Sequence, residues 1–318
     1  MATYESFKVA NGSVSLHIGH WPGRGKKVLC VHGLTANHLC FTPLALLLQK
    51  AGFDVLAFDL RGRGKSAKKY SEAGIAAHAG DVGAILEKYR PGEKSILIGH
   101  SLGAMICIRY ALRNIANIER MVFLDGGGLL SLGEKLKVVE MLKDSLARLG
   151  KIFPGKNEYL KLIRSTPVIR TWSSSVEDFL KYEIEKVDGG GVRCNIPPEA
   201  IEADMREMGG SMNTAAMFKN FLVHPLNVVN KLRAANDIPF ENITCPVLVL
   251  KAGDFNMKPG DDLLPVRSMN EMAARLPFCE AHVISGVNHY GILLEDMPER
   301  DNLILNFLKP QPKKRGKK

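Results

Sequence analysis

Residues 95–107 read Ser95-Ile96-Leu97-Ile98-Gly99-His100-Ser101-Leu102-Gly103-Ala104-Met105-Ile106-Cys107. A short buried-strand pattern runs into Gly99-His100-Ser101-Leu102-Gly103, and a helical pattern over Leu102–Leu112 follows. A G-x-S-x-G placed between a strand and a helix describes a sharp turn that lifts a serine hydroxyl clear of a sheet. The glycines have a steric task, because side chains two positions either side of the serine would clash in so crowded a turn. The following helix aims its N-terminal N–H groups at any oxyanion formed there. Ser101 is therefore the predicted nucleophile.

The strand before Ser101 has companions. Tyr4–Val9 and Val14–Gly19 alternate and flank Asn11-Gly12, a dipeptide suited to a tight hairpin. Lys27–Val31, Phe53–Phe58 and Met121–Leu124 are short apolar runs, and Pro246–Leu250 and Glu280–Ile284 resume the pattern late in the chain. Helical patterns over Ala76–Tyr89, Leu102–Leu112, Arg267–Arg275 and Asp301–Leu308 lie between and after them. Short buried strands alternating with helices predict an α/β protein whose mostly parallel, eight-stranded sheet is flanked by helices. Residues 129–240 break the alternation and read as helical throughout, which predicts a helical cap inserted after the sixth strand. The expected division is a core of 1–128 and 241–312, a cap of 129–240 and a basic, disordered tail of 313–318.

Composition narrows the function class. The 318 residues are 46% hydrophobic and 24% charged with a mean hydropathy of −0.04, a globular balance that excludes wholesale disorder and collagen-like repeats. A chain this long buries about three quarters of its unfolded surface and needs no metal or disulfide staple. The six cysteines are scattered with no C-x-x-C pair, which predicts buried free thiols in a reducing, cytoplasmic setting. The N-terminus has no basic segment followed by an apolar core, and no run approaches the roughly 18 apolar residues of a membrane span. Neither a signal peptide nor stable membrane insertion is expected. Of the formal net charge of +10, five charges sit on Lys313, Lys314, Arg315, Lys317 and Lys318. No aromatic residue interleaves them to stack on bases, so the tail reads as a solvated end and no nucleic-acid partner is expected.

A serine addition intermediate needs two N–H donors at its oxyanion. One should be the N–H of Leu102, and the other that of Leu34, in the loop after His32-Gly33. A base must face Ser101 from another strand end. His289, in Gly286-Val287-Asn288-His289-Tyr290-Gly291 after the last predicted strand, fits that requirement. His32 reads as a structural hydrogen-bonder at the rim of the substrate pocket, beside Gly33.

His32-Gly33, Asp59-Leu60-Arg61-Gly62-Arg63-Gly64-Lys65-Ser66, Gly99-His100-Ser101-Leu102-Gly103 and Asn288-His289 together resemble the α/β-hydrolase superfamily with a helical cap. The resemblance implies that fold, a serine hydrolase of esterase and lipase type, no cofactor, and a structural role for the Asp59–Ser66 loop. It also implies a carboxylate after the strand that follows the cap. The usual pattern there, glycine, two residues, aspartate, lands on Asn256 when counted from Gly253. Asp254 is the nearest carboxylate and the first candidate. Asp125, at the end of the strand before the cap, is the alternative, and Asp261 and Asp262 remain behind them. All lie between Ser101 and His289, so chain order does not separate them.

No metal-ligand cluster appears in the sequence. In the predicted cap, Ile201, Met205, Met208 and Met212 fall at helical spacing, with Met217, Phe218 and Phe221 beyond. The Met and Phe side chains are candidates for a soft apolar pocket over Ser101. No cationic cluster there demands an acidic substrate. The expected reaction is hydrolysis of small-molecule carboxylic esters with small to medium acyl chains through an acyl-enzyme. Alternatives are carbon–carbon bond hydrolysis of vinylogous diketones and a non-turnover ligand receptor on the same fold, while thioesters and lactones stay open as substrates.

Overall fold

Apolar runs too short for helices and bounded by turns become the centre of an eight-stranded sheet. The computed structural model describes residues 3–68, 73–89, 91–208, 211, 237–256 and 260–309. Its strands are β1 (Glu5–Asn11), β2 (Val14–Trp21), β3 (Lys27–Val31), β4 (Asp54–Phe58), β5 (Ser95–His100), β6 (Ile118–Leu124), β7 (Ile152–Phe153), β8 (Ile184–Lys186), β9 (Val192–Cys194), β10 (Val247–Ala252) and β11 (Cys279–Ile284). The main sheet runs β1-β2-β4-β3-β5-β6-β10-β11. β2 pairs antiparallel with both β1 and β4, and every other pairing in it is parallel. The central strands are buried along their whole length, as expected of strands covered on both faces.

The α-helices are α1 (Thr42–Lys50), α2 (Ile75–Tyr89), α3 (Leu102–Asn114), α4 (Leu132–Leu146), α5 (Lys156–Arg164), α6 (Ser174–Tyr182), α7 (Pro198–Glu207), α8 (Val266–Arg275), α9 (Gly291–Leu294) and α10 (Pro298–Leu308). The predicted strands and flanking helices are all present, most of them within three residues of their expected ends. Between β6 and β10 the chain departs from expectation. Helices α4 to α7 are there, but so is a second sheet, β7-β9-β8, antiparallel throughout. Its strands are only two or three residues long and straddle Gly189–Gly191, too short to imprint an alternating pattern on the sequence. All six cysteines are free, and five of them are buried. No helix among the described residues is long and apolar enough to cross a membrane. The tail at 313–318 lies outside the described residues.

The parallel pairing of β3, β5, β6, β10 and β11 decides where chemistry can occur. Parallel strands deliver their C-terminal loops to one edge of the sheet, the usual place for ligands in such folds. Gly33 and Leu34 follow β3, Ser101 follows β5, Asp125 follows β6 and His289 follows β11. Four segments far apart in sequence thus share one edge.

Candidate active site

Among the described residues, Ser101 and Asp125 are the non-glycine positions with positive φ, at 55° and 46°. Such backbone costs on the order of 1–3 kcal/mol and persists where surrounding contacts over-determine it. Those contacts are visible. The Ser101 N–H donates to the Leu124 carbonyl at 3.0 Å, and the Asp125 N–H to the Leu250 carbonyl at 2.8 Å. A Cβ on Gly103 would fall 1.9 Å from the Val31 carbonyl oxygen, and one on Gly99 2.5 Å from the Ala104 nitrogen. The steric task read from the sequence is the one these glycines perform.

His289 and Asp125 are both buried, and Nδ1 of the imidazole lies 2.7 Å from Asp125 Oδ2. The other carboxylate oxygen accepts the Ala252 N–H at 3.0 Å. An acceptor at Nδ1 fixes the proton there and leaves Nε2 as the basic nitrogen. Ser101 and His289 line one cavity of about 30 Å³, together with Gly33, Leu34, Leu142 and Phe179. The loop that carries His289 is braced from three sides. Its N–H donates to Asn256 Oδ1 at 3.0 Å, its carbonyl lies 2.9 Å from His100 Nε2, and Asn288 Nδ2 donates to the Val168 carbonyl at 2.9 Å. Burial, reinforced by the adjacent His289 ring, holds the His100 pKa well below the ordinary histidine value, so His100 is neutral.

The carboxylate first in line from the sequence is not the one beside His289. Asp254 faces Arg170, whose Nη1 donates to its Oδ2 at 2.7 Å, and the pair is partly exposed. Asp125 takes the position because β6 lies next to β5 in the sheet, directly beside the serine turn. Asn256, where the family pattern places the acid, holds the backbone of His289 instead. Asp261 in turn braces Asn256, accepting its N–H at 2.8 Å, and Asp262 engages Lys251 Nζ at 2.9 Å.

Leu102 is the first residue of α3, and the first N–H groups of a helix have no intrahelical partner. The N–H of Leu34 meets no acceptor among the described residues. A Cβ on Gly33 would lie 3.2 Å from the Ser101 Cβ, which sets the Leu34 loop against the serine. Two buried arginines clamp that loop by its carbonyls. Arg63 Nε and Nη2 donate to the Leu34 oxygen at 3.1 and 3.0 Å, and Arg148 Nη2 donates to the Thr35 oxygen at 2.8 Å. Each arginine is neutralised by a carboxylate from the segment inserted between β6 and β10, Asp204 for Arg63 and Glu183 for Arg148. Sequence reading missed both clamps. Arg63 sits in the Asp59–Ser66 motif, and Arg148 shows only as a cation amid the apolar spacing of Leu142, Leu146 and Leu149.

His32 lies beneath this loop and does not line the cavity. Its Nδ1 lies 2.7 Å from the Gly33 carbonyl, and its Nε2 accepts the Leu60 N–H at 3.0 Å. Burial depresses its pKa to about 3, and that of His17 to about 4. A histidine kept neutral in the fold but free to charge when unfolded contributes stability that is present above about pH 6.5. That contribution is lost as pH falls toward the folded value. Between pH 6 and 4 the protein should therefore lose about 1.4 kcal/mol per pH unit more than His32→Gln, at one proton per molecule. Denaturant titrations across that range measure the difference, and equal slopes would refute it.

The methionine pocket is corrected as well. Met205 is buried among core side chains of α7, and neither it nor Met208 lines the cavity at Ser101. Met205 packs inward because α7 also buries Ala200 and Ile201 on the same face. Met212, Met217, Phe218 and Phe221 lie outside the described residues. A larger groove of about 460 Å³ between α2 and α3 holds none of the predicted site residues. His17, His38 and Asp59 come close enough to suit a cation, but Asp59 is already engaged. Its oxygens accept from the N–H and Nδ1 of His38, the Lys65 N–H and the Tyr182 hydroxyl, while His38 Nε2 meets the Tyr4 hydroxyl. Hydrogen bonding that occupies the side-chain atoms of Asp59 and His38 reads as a structural core.

A parallel sheet that carries a strained serine and a carboxylate-paired histidine on one edge defines a hydrolase scaffold. The chain belongs to the alpha/beta hydrolase family, whose model matches residues 28–300. It is 31% identical over 120 residues to 2-(acetamidomethylene)succinate hydrolase of Mesorhizobium japonicum, covering 38% of this chain and 42% of that protein. It is 34% identical over 128 residues to putative methylesterase 11 of Arabidopsis thaliana, covering 39% of this chain and 32% of that protein. The chain thus spans less than half the length of these curated relatives in its matches. The crystal structure of E-2-(acetamidomethylene)succinate hydrolase superposes with a TM-score of 0.72 at 20% identity, over 96% of this chain and 99% of that one. That likeness is one of fold.

Proposed function

We propose that the protein is a serine hydrolase of neutral carboxylic esters with small to medium acyl chains. Ser101 attacks the ester carbonyl while His289 Nε2 takes its proton. Asp125 orients the imidazole and stabilises its charged form. The N–H groups of Leu34 and Leu102 hold the oxyanion, His289 protonates the leaving alkoxide, and a water activated by His289 then releases the acyl group. The inserted segment acts as the cap that closes over the acyl chain. The observation that carries the reading is the buried His289–Asp125 pair on a cavity shared with a serine in strained backbone.

Neutrality of the substrate rests on charge. The cavity at Ser101 and its neighbour carry one cationic side chain, Arg148, among the described residues. Its Nε and Nη2 reach Glu183 Oε1 and Oε2 at 2.8 and 3.1 Å, so no net positive charge is left for an anionic substrate. A fluorophosphonate should place one label on Ser101, and a panel of aryl esters of rising acyl length should turn over repeatedly. A label elsewhere would refute the nucleophile. Turnover of a vinylogous diketone, or of thioesters or lactones, in preference to every ester would refute the ester assignment. A single slow turnover per molecule would favour a receptor.

A further inference from the structure

Beside the cavity at Ser101 lies a second one of about 30 Å³, and Thr35, Phe179 and Tyr290 line both. The second is apolar over Leu162, Ile163 and Leu180, but three hydroxyls meet where the two adjoin. The Tyr290 hydroxyl lies 2.9 Å from Ser145 Oγ, and Ser145 Oγ lies 3.0 Å from Thr35 Oγ1. Ser145 Oγ also accepts from Arg148 Nη1 at 3.4 Å. Three hydroxyls carry three protons, and each hydroxyl–hydroxyl contact consumes one. Two contacts therefore leave one proton over, whichever way the Thr35–Ser145 bond runs, and no further acceptor for it occurs among the described residues. With Thr35 and Ser145 buried and Tyr290 partly buried, a donor left over there is costly unless a ligand answers it.

The position of these hydroxyls ties them to the reaction. Thr35 follows Leu34 in sequence and Tyr290 follows His289, and adjacent residues place their Cα atoms about 3.8 Å apart. We infer that Thr35, Ser145 and Tyr290 form a specificity subsite for a neutral acceptor oxygen carried on one arm of the ester. The ligand class is a ketone or second carbonyl about two to four atoms from the scissile one, given that spacing. The arm beyond that oxygen enters the apolar second cavity. A carboxylate is disfavoured there, because the one cation at that wall is already matched by Glu183. This inference rests on the ester reading above and deepens it.

The test compares aryl esters of a γ-keto acid and of its γ-methyl isostere, and acetates of a γ-keto alcohol and its methyl isostere. In the intact protein, kcat/KM should favour the keto member of at least one pair by about tenfold, the size of a single well-made hydrogen bond. The same preference should appear in Kd measured by calorimetry on Ser101→Ala, which needs no turnover. Proton counting adds a second signature. Thr35→Val and Tyr290→Phe each remove one proton and one contact, so one donor is still left over, and Ser145→Ala leaves two. Each single variant should keep a preference, and only the triple variant should bring the ratio near one. Ratios are independent of the fraction of active protein. A wild-type ratio near one in both pairs, or a triple variant that keeps the preference, overturns the subsite. Preference in Kd without turnover of any ester would leave the subsite standing and overturn the ester reading instead.

Discussion

Replacing Asp125 with asparagine should lower kcat by about 10⁴-fold, the loss typical of a triad aspartate, while Asp254→Asn should stay within about threefold of wild type. The difference follows from which side of the imidazole each group touches. An asparagine at 125 can still accept the Ala252 N–H through its oxygen, so its amide nitrogen is turned toward His289 Nδ1. A donor at Nδ1 forces the ring proton onto Nε2, and a protonated Nε2 cannot take the proton of Ser101. Geometry survives and the tautomer is wrong. Among the described residues the Asp254 carboxylate meets only the partly exposed Arg170, and exposed pairs of that kind contribute about 0–1 kcal/mol to stability and nothing to the tautomer. Steady-state kinetics on both variants, with melting curves to show that Asp125→Asn is folded, decide the matter. Comparable small losses from the two would mean that another carboxylate, or none, serves His289.

That comparison also marks where the sequence stops being readable. Ser101 was legible because a tight turn dictates its own neighbours: Gly99 and Gly103 are required by backbone atoms four residues or fewer from the serine or in the adjoining strand. His289 was legible because it follows a strand whose C-terminal end the alternation already placed. Which carboxylate meets His289 depends on which strand lies beside β5, a fact of sheet order that no local pattern encodes. A signal was nonetheless present, in that Asn256 stands where the family pattern calls for aspartate while Asp125 directly follows β6. The short strands Ile152–Phe153, Ile184–Lys186 and Val192–Cys194 went unread for a different reason. Strands of two or three residues are too short to show a period and are held by one another. The methionines misled because helical spacing shows that a face is buried without showing against what. Met205 is buried on the core side of α7, away from the cavity at Ser101.

The second large effect concerns stability and the segment inserted between β6 and β10. Asp204, on α7, receives Arg63 on one oxygen and His78 Nε2 at 3.0 Å on the other, and all three are buried. Burial opposes ionisation of Asp204, but the charge of Arg63 and the bond from His78 outweigh it and bring its pKa down to about 2. A depressed carboxylate contributes stability that is present above its ordinary value near pH 4 and lost as pH falls through about 2. Asp204→Ala should cost about 3–5 kcal/mol at neutral pH, because it strands the buried Arg63 cation and leaves His78 Nε2 without its partner. Arg63→Met should also destabilise, by leaving Asp204 Oδ2 and the Leu34 carbonyl without the N–H groups that Arg63 supplies. The double variant Arg63→Met, Asp204→Leu should cost clearly less than the sum, since removing both charges together removes the desolvation penalty that each single variant exposes. Denaturant titrations of the four proteins give the coupling, and additivity within about 0.5 kcal/mol would show that the pair is not acting as a unit. Turnover should behave differently. The double variant regains stability but not the two N–H groups that Arg63 directs at the Leu34 carbonyl. If that clamp sets the Leu34 N–H for the oxyanion, kcat stays low in the double variant while stability recovers. Recovery of both together would show that Arg63 serves the fold alone.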